Sequence, residues 1–509
     1  MNFCGNITDK GVKKVTDRRK VKNIIKTSLL AVLVSVSILA FFSALWYKNL
    51  YGDVGFDAIL FTLFSDLNGA DTDILMRYFL NAAVPSILLS AVVNFLLLFD
   101  FKKFTLRKFY KIISVALSVV LLVSASLFVK LPQWAVAKMH KTTLYEEHFV
   151  SPDDVSITFP KEKRNLIYIY LESMETTYFN TENGGGMSKN LMPNLYNLAK
   201  ENLNFSHLSD EVGGAKTPTA STWTVAAMVS HSAGIPLKLP IGIGDNSYGE
   251  YSRFLPGAVS INDILNKNGY YQALMVGSDA DFGGRRDYFL EHKVDKIYDI
   301  YTAYEDEIVP KDYWVWWGME DKYLFEYAKR ELNEISKREE PFSFTMLTVD
   351  THFVDGYKCD KCLDEYEEPY ENVISCSDRQ VYEFVEWIKA QPFYENTTII
   401  ISGDHLTMDE GYINRTTPEG YERHVYNCFI NSAVEGENTK NRDFTTFDMF
   451  PTTLASLGCK IENDRLGLGT NLFSDKKTLT EELGYDYVSD ELKEMSDYYN
   501  KEILNNYKK

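Results

Sequence analysis

Along the first quarter of the chain the hydrophobic positions run together without interruption. Residues 27–47, 78–99 and 112–129 hold no Asp, Glu, Lys or Arg. Each run is roughly 20 residues, the length a helix needs to cross about 30 Å of hydrocarbon. After residue 164 the pattern changes to short apolar runs rich in β-branched and aromatic residues, separated by longer stretches of helical periodicity. The clearest are LIYIYLE at 166–172, YQALMVG at 271–277, FSFTMLTVD at 342–350 and TTIIISGDH at 397–405. Strands alternating with helices predict an α/β domain around a mainly parallel sheet, because parallel neighbours need a crossover. Each run ends in polar residues. In an open α/β sheet, ligands bind outside the carboxyl ends of the strands, so Glu172, 278–281, 350–352 and Asp404–His405 are predicted to converge.

These patterns predict a basic tail over 1–26, a membrane region over 27–129, a connector over 130–163, a catalytic-type domain over 164–475 and a C-terminal tail over 476–509. The connector is expected to lift the domain off the membrane. The tail is expected to be a peripheral helix or partly disordered. The first apolar run reads as an anchor rather than a cleaved leader, since it is longer than a leader core and two more runs follow. Charge orients the three spans. Lys10, Lys13, Lys14, Arg18, Arg19, Lys20, Lys22 and Lys26 precede the first, and Lys102, Lys103, Arg107, Lys108 and Lys111 lie between the second and third. Asp53, Asp57, Asp66, Asp71 and Asp73 fill the other loop. The excess of cations marks the cytoplasmic segments and places everything after residue 129 outside. The apolar stretch 56–67 is too short to span, and suits an interfacial helix or one packed on its neighbours.

Composition adds one exclusion. With 53 Lys and Arg against 71 Asp and Glu in 509 residues, the net charge is −18, which argues against nucleic acid as a partner. The six cysteines are Cys4, Cys359, Cys362, Cys376, Cys428 and Cys459. Cys359-Asp-Lys-Cys362 has redox or half-zinc spacing without a second CxxC. An oxidising exterior favours a local disulfide there, Cys359 with Cys362 or either with Cys376.

Candidate chemistry collects at the strand ends. Glu172, the hydroxyl-rich segment TPTASTWT at 217–224 at the start of a predicted helix, and Asp404–His405 supply carboxylate, hydroxyl, carboxylate and imidazole, a donor set suited to a divalent cation. A hydroxyl is a weak nucleophile until a cation lowers its pKa, and a helix N-terminus stabilises the anion and a phosphoryl group.

LIYIYLESMETTYF, STWTVAAMVSHSAGIPL, IIISGDHLTM, FDMFPTTLASLG and GLGTNLFS, in that order over about 164–474, together resemble the lipoteichoic acid synthase and phosphoglycerol transferase family of the alkaline phosphatase and sulfatase superfamily. The resemblance implies a sulfatase-like α/β domain, a Mn²⁺ site (or another divalent metal such as Mg²⁺ or Zn²⁺), phosphatidylglycerol as donor, and a cell-surface glycan or teichoic acid chain as acceptor. It implies Glu172, Asp404 and His405 as metal ligands. Spacing to Gly234-Ile235-Pro236 puts the nucleophile and fourth ligand at Ser221, with Thr222 and Thr217 as alternatives. Arg285, with Arg286 as rival, matches a phosphate-gripping arginine, and His352 an active-site histidine.

Other polar and aromatic residues have duller readings. His231 suits packing within a helix. His424 is divided between site and core, the tryptophans 314, 316 and 317 between an aromatic wall and core, and Asp448 suits a helix cap. Rival functions keep the fold: a phosphoethanolamine transferase, a sulfatase, or a catalytically inactive anchored binding protein. A sulfatase needs Cys/Ser-x-Pro-x-Arg, and Ser221-Thr-Trp-Thr-Val lacks its Pro and Arg.

Overall fold

The computed structural model of this chain describes residues 8–52, 55–64, 72–99, 104–238 and 253–504. Cys4, Asp53, Asp66, Asp71, Lys102 and Lys103, residues 1–7 of the basic tail and 505–509 of the C-terminal tail lie outside them.

The chain forms two compact units, the first from residues up to Val54 and from Asp71 to Gln133. Thr8–Tyr51 is one helix, Thr72–Tyr78 continues through a π turn into Val84–Leu98, and Phe104–Phe128 is the third. Within them Val21–Tyr51, Ile74–Leu97 and Lys108–Phe128 are long and apolar enough to cross a membrane. Side chains such as Leu29, Val32, Ile87, Leu88, Val119 and Val120 are exposed, as a lipid-facing surface requires, while Val34, Ile38 and Leu97 are buried between helices. Polar bonds tie the helices together: Asn94 Nδ2 to Ser35 Oγ at 2.8 Å, Lys111 Nζ to Thr27 Oγ1 at 2.7 Å, and Ser43 Oγ with Tyr78 OH at 2.9 Å. Such bonds matter more where water is absent.

The second unit starts at Trp134 and takes in the segment from Gly55. The short apolar helix Phe56–Phe64 packs on Trp134, whose Nε1 donates to Asp57 Oδ1 at 2.8 Å and whose ring meets Phe56 edge-on.

Seven strands form its sheet: β1 Asn165–Leu171, β2 Gly214–Ala215, β3 Tyr271–Val276, β4 Lys296–Tyr298, β5 Phe342–Leu347, β6 Thr397–Gly403 and β7 Val425–Ile430, in the order β2-β7-β6-β1-β5-β3-β4. The β6-β1-β5-β3-β4 block is parallel, and β7 and β2 are added antiparallel at one edge. Strand periodicity divides the side chains between two cores. Leu166, Tyr168 and Tyr170 enter one with the helices Thr224–Ala233, Ile261–Lys267 and Met449–Ser456. Ile167, Ile169 and Leu171 enter the other with Pro193–Glu201, Asp321–Ile335 and Pro369–Lys389. Both faces of the sheet are therefore covered, and the carboxyl ends of its parallel strands lie together.

The expected connector does not stand apart from the second unit: Leu144 and Tyr145 are buried, Val150 and Gly467 exchange backbone hydrogen bonds at 2.8 Å, and Ile157–Thr158 pairs with Lys460–Ile461. The C-terminal tail is not peripheral either. Its helices Leu479–Leu483 and Tyr485–Glu491 and the turn Tyr499–Leu504 bury Leu479, Val488, Leu492, Tyr499 and Ile503 in the first core. Apolar residues spaced among many charges gave that tail its disordered look.

Candidate active site

β1 ends at Leu171, and the chain turns sharply through Ser173, whose φ is +55°. Glu172 is thereby held at the strand end, its N–H on Thr348 Oγ1 at 3.0 Å and its Oε1 accepting from Ser173 Oγ at 2.9 Å. Next to it β6 ends in Gly403-Asp404-His405. A Cβ on Gly403 would come within 1.9 Å of the Met174 carbonyl, so only glycine permits this approach. Asp404 Oδ1 takes two backbone N–H groups, from Ser173 at 2.9 Å and His405 at 2.7 Å. Its Oδ2 is buried and accepts nothing from the described residues. His405 Nδ1 donates to the Leu406 carbonyl at 2.9 Å, which aims Nε2 at Glu172 and Asp404, 3.4 Å from an oxygen of each.

All three side chains are buried, and one ligand atom from each lies within 4.8 Å of the others. Burial, together with the charge of Glu172, pushes the Asp404 carboxyl well above the carboxylate range. Burial opposes a charged His405, yet the two carboxylates outweigh it and raise the imidazole's affinity for a positive charge. Two carboxylates, a directed imidazole nitrogen and an orphaned buried oxygen are a donor set that fits a divalent cation.

The hydroxyl that joins this cluster is Thr224. Its Oγ1 donates to Glu172 Oε2 at 3.2 Å and lies 3.4 Å from His405 Nε2. Ser221, the expected residue, is fully buried with its Oγ unpartnered among the described residues, and neither Thr222 nor Thr217 bonds to the cluster. The reason is local. Residues 218–221 close a turn, with Ala220 at φ +59° and Ser221 N–H on the Pro218 carbonyl, and Trp223 is still extended. The helix Thr224–Ala233 starts only at Thr224, so the first helical hydroxyl reaches the strand ends beside unpaired N-terminal N–H groups. A sequence signal existed: Thr224 immediately precedes the apolar run VAAMV.

A cleft opens from this point, lined among others by Glu172, Thr224, Ser278, Phe282, Arg285, Trp317 and His352. Arg285 is buried, donating to Ser278 Oγ at 2.9 Å and the Asp279 carbonyl at 2.6 Å, with Nε unpartnered among the described residues. Burial lowers its guanidinium to about 10, still charged at neutral pH. Arg286 does not line the cleft. It pairs with Asp281 and with Asp299 Oδ2 at 2.5 Å, because the next residue on a helix points about 100° away. His352 Nδ1 donates to the Phe353 carbonyl at 2.6 Å, and its ring packs on Trp317.

The remaining candidates separate cleanly. Trp317 is a cleft wall, whereas Trp314 is half-exposed and Trp316 does not line the cleft. His231 is core, its Nδ1 bonded with Tyr168 OH at 2.9 Å. His424 stacks on His207 at 3.5 Å between centroids, outside the cluster. Asp448 completes a capping box with Thr445 and accepts from Thr470 N–H at 2.7 Å. Asp350 and Asp321 hold each other's backbone instead of entering the site. One support was not anticipated: Arg423 forms a bidentate pair with buried Glu175, at 2.6 and 2.8 Å, and also binds the Thr407 carbonyl, bracing the loop after His405.

The chain is similar in sequence and fold to known proteins. Phosphoglycerol transferase I of Xanthomonas campestris pv. campestris (strain B100) is 30% identical over 321 residues, 62% of this chain and 43% of its own length. Phosphoglycerol transferase I of Salmonella choleraesuis (strain SC-B67) is 31% identical over 329 residues, 62% of this chain and 40% of its own. The chain thus spans well under half the length of these relatives. Among solved structures, the integral membrane protein lipooligosaccharide phosphoethanolamine transferase A from Neisseria meningitidis superposes with a TM-score of 0.50 at 12% identity over 84% of each chain, a likeness of fold. The sulfatase family model matches residues 164–459, more than half of the chain and the whole of the cluster Glu172, Thr224, Asp404 and His405, and this chain belongs to the sulfatase family.

Proposed function

We propose that this chain is a membrane-anchored phosphoglycerol transferase, with Thr224 as nucleophile, phosphatidylglycerol as donor and a hydroxyl of a cell-surface glycan or polyglycerolphosphate chain as acceptor. The observation that carries the reading is the Thr224 hydroxyl, at a helix N-terminus and hydrogen-bonded to a buried carboxylate beside the Asp404–His405 pair. The phosphoglycerol transferase relatives support the donor.

Glu172, Asp404, His405 and Thr224 would hold the divalent cation. Bound there, it would lower the pKa of the hydroxyl and offset charge on the phosphoryl oxygens, and the oxygen-rich donor set suits Mn²⁺ or Mg²⁺. The residues of the chain supply the rest. Thr224 Oγ1 attacks phosphorus and its proton leaves along the bond to Glu172 Oε2. Diacylglycerol departs with the electron pair of the broken P–O bond, leaving glycerol phosphate esterified to Thr224. Arg285 directs its guanidinium at the phosphoryl oxygens and stabilises the charge that develops there. His352, on the same cleft, gives a proton to the departing oxygen and takes one from the acceptor hydroxyl that attacks phosphorus next, as the bond to Thr224 Oγ1 breaks and that oxygen recovers its proton from Glu172. The anchor serves this chemistry by keeping the cleft near a lipid donor, with the catalytic unit on the outer face.

The test follows release of labelled diacylglycerol by the full-length protein in detergent. Release from phosphatidylglycerol that stops with chelator, returns with Mn²⁺ and is absent from Thr224→Ala is the expected result. Release from phosphatidylethanolamine or hydrolysis of sulfate esters instead would overturn the donor assignment.

A further inference from the structure

The second cluster of metal-type ligands in the described residues lies away from the candidate active site. Cys359, Cys362 and Cys376 bring their Sγ atoms within 4.8 Å of one another. Cys359 and Cys362 sit on the segment that leaves the end of β5, and Cys376 on the buried face of the helix Pro369–Lys389. The local disulfide expected from the sequence is not formed: all five described cysteines are free thiols. The Cys359 and Cys362 sulfurs are 3.7 Å apart, against about 2.05 Å in a disulfide. The separation matches the ligand-to-ligand edge of a tetrahedron around Zn²⁺, about 3.8 Å for Zn–S of about 2.3 Å.

The three sulfurs face one another, with Cys359 Sγ and Cys362 Sγ within hydrogen-bonding distance. Gln380 Nε2 donates to Cys376 Sγ at 3.6 Å. The CxxC turn is closed by Cys362 N–H on the Cys359 carbonyl at 3.1 Å. Lys322, paired with Glu320 and Asp360 at 3.1 and 3.0 Å, ties the turn to the segment before the helix Asp321–Ile335. Cys359 and Cys376 are buried, and Cys362 is partly exposed, which leaves solvent access on one side.

We propose that Cys359, Cys362 and Cys376 form a structural Zn²⁺ site, separate from the Glu172–Asp404–His405 cluster. Binding releases three thiol protons to solvent and forms three Zn–S bonds. Among the described residues no His, Asp or Glu joins the three sulfurs, which leaves the fourth position to a ligand from solvent. Sulfur ligands select zinc, whereas the oxygen-rich site selects harder cations, so the two sites take different metals. The zinc ties the segment after His352 to the helix Pro369–Lys389, and so holds one wall of the cleft.

Cobalt is the probe, because thiolate ligation gives a sulfur-to-metal charge-transfer band that carboxylate and imidazole ligands do not. Full-length Cys4→Ser protein, purified in detergent, reduced and stripped of metal, is titrated with Co²⁺, alongside Asp404→Asn, Cys376→Ser and Cys362→Ser versions. The expected result is a thiolate band saturating at one Co²⁺ per chain, kept in Asp404→Asn, displaced by Zn²⁺ and lost in Cys376→Ser or Cys362→Ser. Absence of the band from the reduced parent protein, or its persistence in both cysteine variants, overturns the proposal. The parent protein alone can therefore refute it, whatever the fate of the variants.

Discussion

The choice among neighbouring hydroxyls is decided by a few ångströms. Thr224 Oγ1 touches Glu172 and His405, while Ser221 Oγ, three residues earlier, is sealed under a turn. Thr224→Ala should lower transfer by about a thousandfold or more, as loss of a nucleophile does, whereas Ser221→Ala should stay within a few-fold of the parent and Thr224→Ser should retain measurable turnover. Initial rates of diacylglycerol release check all three. The two arginines make a parallel pair. Arg285→Lys should cut kcat by roughly 100-fold, since the buried fork that meets phosphate is lost, and Arg286→Lys should leave kcat nearly unchanged because its partners are Asp281 and Asp299. Glu172, Asp404 and His405 were legible in the sequence because strand ends announce themselves. The proposed nucleophile, Thr224, was harder to single out, because several hydroxyls crowd one turn and only the onset of the helix separates them.

Elements were read in proportion to how strongly each is patterned. β1, β3, β5 and β6 are runs buried on both faces and stand out as such. β2 has two residues, and β7 pairs antiparallel at the edge, so neither carries the signature of a crossover strand. The Glu175–Arg423 pair was invisible, because a contact across 248 residues leaves no local pattern. Its weight should be large. Arg423→Met leaves a buried carboxylate without its cation and should cost about 3–5 kcal/mol, read as a lowered midpoint in denaturant unfolding of the second unit. Asp378 plays a similar part for the helix Pro193–Glu201, whose first turn donates N–H groups of Asn194 and Leu195 to it at 3.2 and 2.8 Å. Asp378→Ala should cost about 1–3 kcal/mol by leaving those donors unmet.

At the scale of the whole molecule, a doubly covered parallel sheet gathers the active groups at its carboxyl edge, and the same burial makes the fold acid-sensitive. Burial holds the His231 imidazole down at about 3, against 6.5 for the exposed side chain. Between those values the unfolded chain binds a proton that the folded chain refuses, so stability present above pH 6.5 is lost progressively as pH falls toward 3. His231→Gln should therefore show a smaller fall in Tm between pH 7 and pH 4 than the parent protein. His207 and His424 are lowered in the same direction by burial and add to the parent's slope. The central claim, a glycerophosphoryl group carried on Thr224, is tested most directly by mass analysis of the full-length protein quenched during turnover with phosphatidylglycerol and digested to peptides. A glycerol phosphate adduct on the peptide residue Thr224, absent without donor, is the predicted result; an adduct on Ser221 or Thr222, or one that survives in Thr224→Ala, would contradict it.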